Sequence, residues 1–134
     1  MRQAVATGGR AADRRAIAFL DGCYGIKPSE SEFRVALAYN MLVPAHVCQA
    51  IAGWSTDPAE TTAALKRVRV PTLVTQGRKD TVVLPAAAEM TAATIAGARL
   101  SWFDDCGHSP FSEDAPRFNA ELAAFMADPS MTRR

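Results

Sequence analysis

The chain has 134 residues, which limits it to about one ordinary domain, and 49% of them are hydrophobic, enough for a packed core. Its 15 lysines and arginines nearly balance 14 aspartates and glutamates, so the net charge of +1 indicates neither a nucleic acid partner nor a charged membrane. We find no secretory signal and no apolar run of the ~20 residues that span a membrane. Cys23, Cys48 and Cys106 form no C-x-x-C pair, so we expect no zinc site and a cytoplasmic location.

The first half of the sequence predicts helices. One is expected from about Ala11 to Cys23, and Ser29–Glu32 has the capping-box pattern that opens a second, amphipathic helix. Pro44 fits the first turn of a third helix, and Asp57-Pro58 reads as the start of a fourth that runs to about Arg67. The third helix is expected to turn three apolar side chains inward, those of Val47, Cys48 and Ile51.

From residue 70 onward the pattern changes to strand, helix, strand and helix. We predict a strand over 72–75, a loop over 77–81, a helix from Pro85 to about Ile95, a strand over 99–103, a loop over 105–113 and a helix capped by Asp114. A strand–helix–strand unit of this kind forms a right-handed crossover with parallel strands. The loops after both strands should therefore open at the same edge of the sheet, where open α/β folds place their sites.

Asp80 and His108 follow these two predicted strands and should meet at that edge, although 28 residues separate them. A histidine that acts as a general base needs its second ring nitrogen held by an acceptor, and a carboxylate does this best. Taken alone, an aspartate after a strand is more often a turn former, and a histidine in a loop is usually a surface residue. Their order along the strands favours the catalytic interpretation.

Residues 68–127 resemble the C-terminal part of an α/β-hydrolase fold enzyme, and residues 11–67 are similar to the helical cap of such enzymes. The matching segments are Val70–Val74, Gly77–Asp80, Gly97–Leu100, Gly107–Phe111 and Glu113–Asn119. The resemblance implies a partial α/β-hydrolase fold, with residues 1–67 as a cap-like segment and residues 68–134 as the C-terminal part of the core. It also implies that Asp80 is the acid and His108 the base of a catalytic triad, with no cofactor and no metal.

The nucleophile of that family lies in a G-x-S-x-G turn between a strand and a helix. Only Ser55 and Ser109 have a glycine two positions before them, and neither completes the motif. The resemblance implies hydrolysis of ester-like bonds in small molecules by a nucleophile, serine or aspartate, that this sequence lacks. The Ser109-Pro110-Phe111 sequence favours esterase-like or cofactor-free haloperoxidase-like members. The alternative is an inactive truncated fragment or a non-catalytic interaction module.

Two short parallel strands rarely form an independently stable sheet, since three or more strands with a packed face are usually needed. The strand at 72–75 would also present an unpaired parallel edge. We therefore expect a marginally stable chain that pairs with a complementing N-terminal segment or associates with itself through this edge.

Overall fold

The structure is a computed structural model that describes residues 14–128. Its elements are α1 (14–23), α2 (Glu30–Met41), α3 (Ala45–Ala52), α4 (Pro58–Leu65), β1 (Leu73–Gly77), α5 (Pro85–Thr94), β2 (Arg99–Phe103), α6 (Pro110–Glu113) and α7 (Ala115–Ala127). The predicted order of four helices followed by strand, helix, strand and helix is confirmed. The short helix α6 is an addition, because residues 105–113 were predicted to be a loop. The predicted beginning of α1 at Ala11 lies outside the described residues.

Local capping explains where α2 and α4 begin. The Ser29 side chain accepts a hydrogen bond from the Glu32 backbone N–H, and the Glu32 carboxylate accepts one from the Ser29 N–H at 2.9 Å. Asp57 caps α4 by accepting from the Ala59 N–H at 2.8 Å. These bonds satisfy N–H groups that the first turn of a helix leaves without partners.

The predicted inward face of α3 is wrong. Cys48 and Ile51 are exposed, Ile51 by 62%, and Val47 is only half-buried. Pro44 is the N-cap residue of α3 rather than part of its first turn. Within residues 14–128 no element packs extensively against α3, so an apolar stripe on this helix has nothing to bury it.

The strands β1 and β2 pair in parallel, in a register that runs from Leu73 opposite Arg99 to Gly77 opposite Phe103. Helix α5 connects them and packs on both strands. The chain leaves α5 through Gly97, whose φ of 76° lies in the left-handed region that favours glycine. The parallel pairing brings the loops after both strands to one edge of the sheet, as the sequence predicts.

The buried apolar core of the described region is small. It consists of Leu20, Cys23, Ala88, Ile95, Phe103 and Cys106. Several large apolar side chains are exposed instead, including Trp54 by 76%, Leu42 by 75% and Val70 by 67%. The sheet has two strands, so within residues 14–128 each strand has one unpaired edge. Exposed apolar surface together with open strand edges is typical of an interaction surface.

No single helix within residues 14–128 is long and apolar enough to cross a membrane. Helices α2 and α3 meet the criteria of length and composition only as a pair, and that pair is bent by 89°.

Candidate active site

The two candidate catalytic residues meet at the carboxyl ends of the strands. Asp80 comes three residues after the end of β1, and His108 comes five residues after the end of β2. The Nδ1 atom of His108 lies 3.0 Å from the Oδ2 atom of Asp80, within hydrogen-bond distance. The side chain of Asp80 is only 4% exposed, while that of His108 is 38% exposed. The structure therefore brings together the two residues that the sequence singled out.

The Asp80 carboxylate accepts hydrogen bonds on both oxygens. Its Oδ1 accepts from the backbone N–H groups of Val82 and Val83, at 2.8 and 2.9 Å. Its Oδ2 accepts from the Gln76 side-chain amide at 3.0 Å, in addition to its contact with His108. The carboxylate is thus held in its orientation by its own loop and strand, independently of His108.

These hydrogen bonds decide the protonation state of Asp80. Burial is the largest single influence and by itself raises the pKa of the carboxyl group. The hydrogen bonds from His108, from the N–H groups of Val83 and Val82, and from Gln76 together outweigh burial. The pKa of Asp80 therefore lies below its usual value, and the group is a carboxylate at neutral pH, the form that can accept a hydrogen bond from an imidazole N–H.

Gln76 is a member of this site that the sequence did not reveal. It is buried on β1, and its Nε2 atom lies 3.0 Å from both the Asp80 carboxylate and the Val83 carbonyl oxygen. The side chain therefore links β1 to the Asp80 carboxylate and to the backbone at Val83. The available signal was a large polar residue in a short strand that opens with two apolar residues, four positions before the acid.

Contact with Asp80 at Nδ1 determines what the other nitrogen of His108 can do. A neutral imidazole carries one proton, and a carboxylate partner at Nδ1 favours the tautomer with the proton on that atom. The Nε2 atom is then an acceptor, and within residues 14–128 it has no hydrogen-bond partner. The partly exposed ring can therefore accept a hydrogen bond or a proton at Nε2.

The loop that carries His108 packs against β1 without side chains between the backbones. A Cβ atom at Gly77 would overlap the carbonyl oxygens of Gly107 and Cys106. The Lys79 backbone N–H also donates to the Cys106 carbonyl oxygen at 3.0 Å. Glycine at position 77 is what allows the two loops to approach closely enough for the pair to meet.

Other reactive side chains take no part in this arrangement. Cys106 is buried, and burial raises the pKa of its thiol, so it remains protonated and serves as a packing residue. His46 is exposed at the start of α3. Lys79 forms an ion pair with Asp105 at 2.8 Å rather than with Asp80. Within residues 14–128 no group of three or more histidine, cysteine or acidic side chains is arranged to hold a metal ion.

Neither serine with a preceding glycine occupies a turn between a strand and a helix. Ser55 is exposed in the connection between α3 and α4, and Ser109 is the N-cap residue of α6. The described residues thus contain a hydrogen-bonded carboxylate and imidazole, and neither of these two serines lies in the family's nucleophile position.

Known proteins with similar sequences and structures include several esterases. The pimeloyl-[acyl-carrier protein] methyl ester esterase of Aromatoleum aromaticum is 49% identical over 49 residues, which are 37% of this chain and 20% of that protein. An esterase from a Rhodococcus species is 25% identical with a TM-score of 0.75, over 96% of this chain and 47% of its own. An esterase from Exiguobacterium antarcticum shares the fold with a TM-score of 0.76 at 24% identity, over 87% of this chain and 43% of its own.

The chain thus spans less than half the length of the proteins that it matches. The sequence model of the alpha/beta hydrolase family matches residues 3–121, which is most of the chain. The two parallel strands with their connecting helix agree with part of that fold. This chain belongs to the alpha/beta hydrolase family.

Proposed function

We propose that this chain contributes the acid and the base of an esterase-like hydrolase, with Asp80 as the acid and His108 as the base. The observation that carries the proposal is the 3.0 Å contact between His108 Nδ1 and an Asp80 carboxylate that is itself held by three further donors. The nucleophile is a serine on a segment outside residues 1–134. The substrate is a small molecule with an ester-like bond.

The chemistry follows from the orientation of the pair. Asp80 holds the Nδ1 proton of His108, so Nε2 can remove the proton from a serine hydroxyl as the oxygen attacks the carbonyl carbon. The carboxylate stabilises the imidazolium ion that results, and the imidazolium then donates its Nε2 proton to the leaving alcohol. A water molecule hydrolyses the acyl-enzyme by the same proton transfers in a second cycle. None of these steps needs a cofactor.

The proposal assigns a role to each part of the chain. Residues 68–134 form the C-terminal part of the hydrolase core, and residues 1–67 form a cap-like segment over the substrate. The unpaired edge of the two-stranded sheet suits a complementing segment that carries the nucleophile's strand, because parallel sheets are normally extended and covered on both faces. That segment is the partner that the proposal requires.

The test begins with the DNA upstream of the Met1 codon, where we expect an encoded G-x-S-x-G sequence. The extended protein should hydrolyse p-nitrophenyl esters. Replacing His108 by alanine should lower kcat by at least about 10³-fold, because a triad without its base retains only weak catalysis. His46→Ala, which removes the other histidine of the chain, is the matched control and should leave kcat unchanged. Equal activity of the two variants would refute the assignment of His108.

A second candidate is a non-catalytic module, favoured by the lack of any G-x-S-x-G turn in the 134 residues. It predicts that the purified 134-residue chain shows no hydrolysis of p-nitrophenyl acetate above that of the His108→Ala variant. Turnover by the 134-residue chain that disappears in the variant would exclude this candidate, because an inert module has no use for the base.

A further inference from the structure

The carboxylate of Glu113 accepts hydrogen bonds from the backbone of two segments that are distant in the sequence. One of these two segments lies beside His108 in the chain. Its Oε2 atom accepts from the N–H groups of Gly25 and Ile26, both at 2.7 Å. Gly107 lies 2.9 Å from both carboxylate oxygens, and the Ser109 N–H donates to Oε1 at 3.0 Å. We call this carboxylate and its four N–H donors the Glu113 junction. None of its members takes part in the proton transfers described above.

The junction holds the backbone on both sides of His108. Gly107 and Ser109 are the immediate neighbours of that residue, and the His108 N–H itself donates to the Cys23 carbonyl oxygen at 2.6 Å. The three consecutive backbone N–H groups of residues 107–109 therefore all donate hydrogen bonds to acceptors outside the 107–109 segment. Bonds from N–H groups to a carboxylate are roughly twice as strong as bonds between neutral groups.

The residues around the junction leave no room for the loop to shift. A Cβ atom at Gly25 would overlap the Asp105 carbonyl oxygen, and one at Gly107 would overlap the Cys23 carbonyl oxygen. The chain after α1 and the histidine loop thus lie in direct backbone contact. The Thr81 hydroxyl also donates to the Gly22 carbonyl oxygen at 3.0 Å, which ties the loop of the acid to the same end of α1.

We propose that Glu113 is a positioning residue for His108. Its carboxylate fixes the loop against residues 23–26, in the position that brings the imidazole ring within hydrogen-bond distance of Asp80. The inference rests on the proposed function, in which His108 is the base. A displacement of roughly 1 Å would take the 3.0 Å contact beyond hydrogen-bond distance. With its oxygens occupied by backbone donors, Glu113 is not itself an acid or base of the reaction.

The test is NMR of the imidazole groups in the 134-residue chain, which contains only His46 and His108. In the wild-type chain we expect a downfield Nδ1–H proton for His108 and long-range ¹⁵N correlations of a single tautomer. In Glu113→Gln, which keeps the size but puts an NH₂ group against backbone N–H donors, that proton signal should be lost and the tautomers should average. The signals of the exposed His46 should not change.

Glu121→Gln is the matched control, because Glu121 is another half-buried carboxylate with hydrogen bonds, to Ser101 and Arg117. It should leave the His108 signals as in the wild type. If Glu113→Gln fails to fold, Glu113→Asp keeps the charge but is one methylene shorter, and it should weaken the same signal in a folded chain.

Three results would overturn the proposal. The first is a wild-type His108 signal in a Glu113 variant whose Gly107 and Ser109 amide resonances have moved. The second is the absence of the Nδ1–H signal from the wild-type chain. The third is unfolding of both Glu113 variants while Glu121→Gln stays folded, which would make Glu113 purely structural. Because these signals need no turnover, a failed hydrolase assay and a failed positioning role are told apart.

Discussion

At the scale of single residues, the site depends on how a buried carboxylate is stabilised. Asp80 is nearly inaccessible, yet it stays ionised because four donors surround it. A buried charge without such partners would be protonated instead. The same bonds that keep the charge also orient it toward His108, so stability and the proposed chemistry rest on one set of contacts.

Asp80→Asn should lower the free energy of unfolding by about 1–3 kcal/mol at pH 7, because one of the two acceptor oxygens becomes an NH₂ group that faces other donors. The pKa of Asp80 is lowered in the folded chain, so its carboxylate adds stability above the unfolded pKa of about 3.9. That stability is lost as the pH falls through the lower, folded pKa. The gap between wild type and variant should thus persist at pH 5 and shrink below about pH 4.

Urea denaturation across this pH range measures the difference in the free energy of unfolding between the wild type and Asp80→Asn. Asp104→Asn is the control, since that side chain is 75% exposed and should show almost no gap. A gap of the same size from pH 7 to pH 2 would contradict the assigned ionisation of Asp80.

The sequence was sufficient to predict that Asp80 and His108 meet, because their positions after two strands follow from hydrophobic pattern and chain order alone. It was not sufficient to predict the role of Gln76 or the backbone N–H groups that donate to Glu113. The donors to Glu113 lie up to 88 positions away, which no local pattern encodes, and the contact of Gln76 with Asp80 depends on how the chain turns between these two residues.

At the scale of elements, the approach of β1 to the histidine loop determines whether the pair can form. The loop after β2 is bound to the loop after β1 through the Lys79 N–H and the Cys106 carbonyl oxygen. This contact requires a residue without a side chain at the end of β1. The predicted strands were right because their β-branched and apolar runs are local, whereas the inward face of α3 was wrong because burial depends on a neighbour.

Gly77→Ala should destabilise the chain by about 1–3 kcal/mol, because the new methyl group meets backbone atoms that cannot rotate away. Gly53→Ala is the matched control. Gly53 has a φ of −89° and its nearest atom would lie 3.5 Å from a new Cβ, so alanine should stabilise by about 0.4–1 kcal/mol. Thermal unfolding of both variants measures the difference. Equal stability of the two would show that the loops do not approach as described.

At the scale of the whole molecule, the described region buries few apolar side chains and leaves strand edges open. The chain also spans less than half the length of the structures that it resembles. Both observations are consistent with a chain whose stability depends on association. The family was predictable from the order of motifs, and an open strand edge was predictable from the presence of only two strand patterns.

The melting temperature of the 134-residue chain should therefore rise with protein concentration, as it does when association stabilises the folded state. Val70→Lys, just before β1, should weaken this dependence, because a charge beside a strand edge opposes pairing. Leu42→Lys alters a similarly exposed apolar residue outside the sheet, and it should leave the concentration dependence of the melting temperature unchanged. A cooperative melt of a monomer, independent of concentration, would contradict this expectation.

The central claim is that Asp80 and His108 activate a serine that lies outside these 134 residues. Labelling the extended gene product with a fluorophosphonate tests it most directly, because this reagent modifies only an activated serine. Peptide mapping should place the label on one serine outside residues 1–134, and the label should be lost in His108→Ala. A label on a serine within residues 1–134, labelling that persists without His108, or no labelled serine at all would contradict the claim.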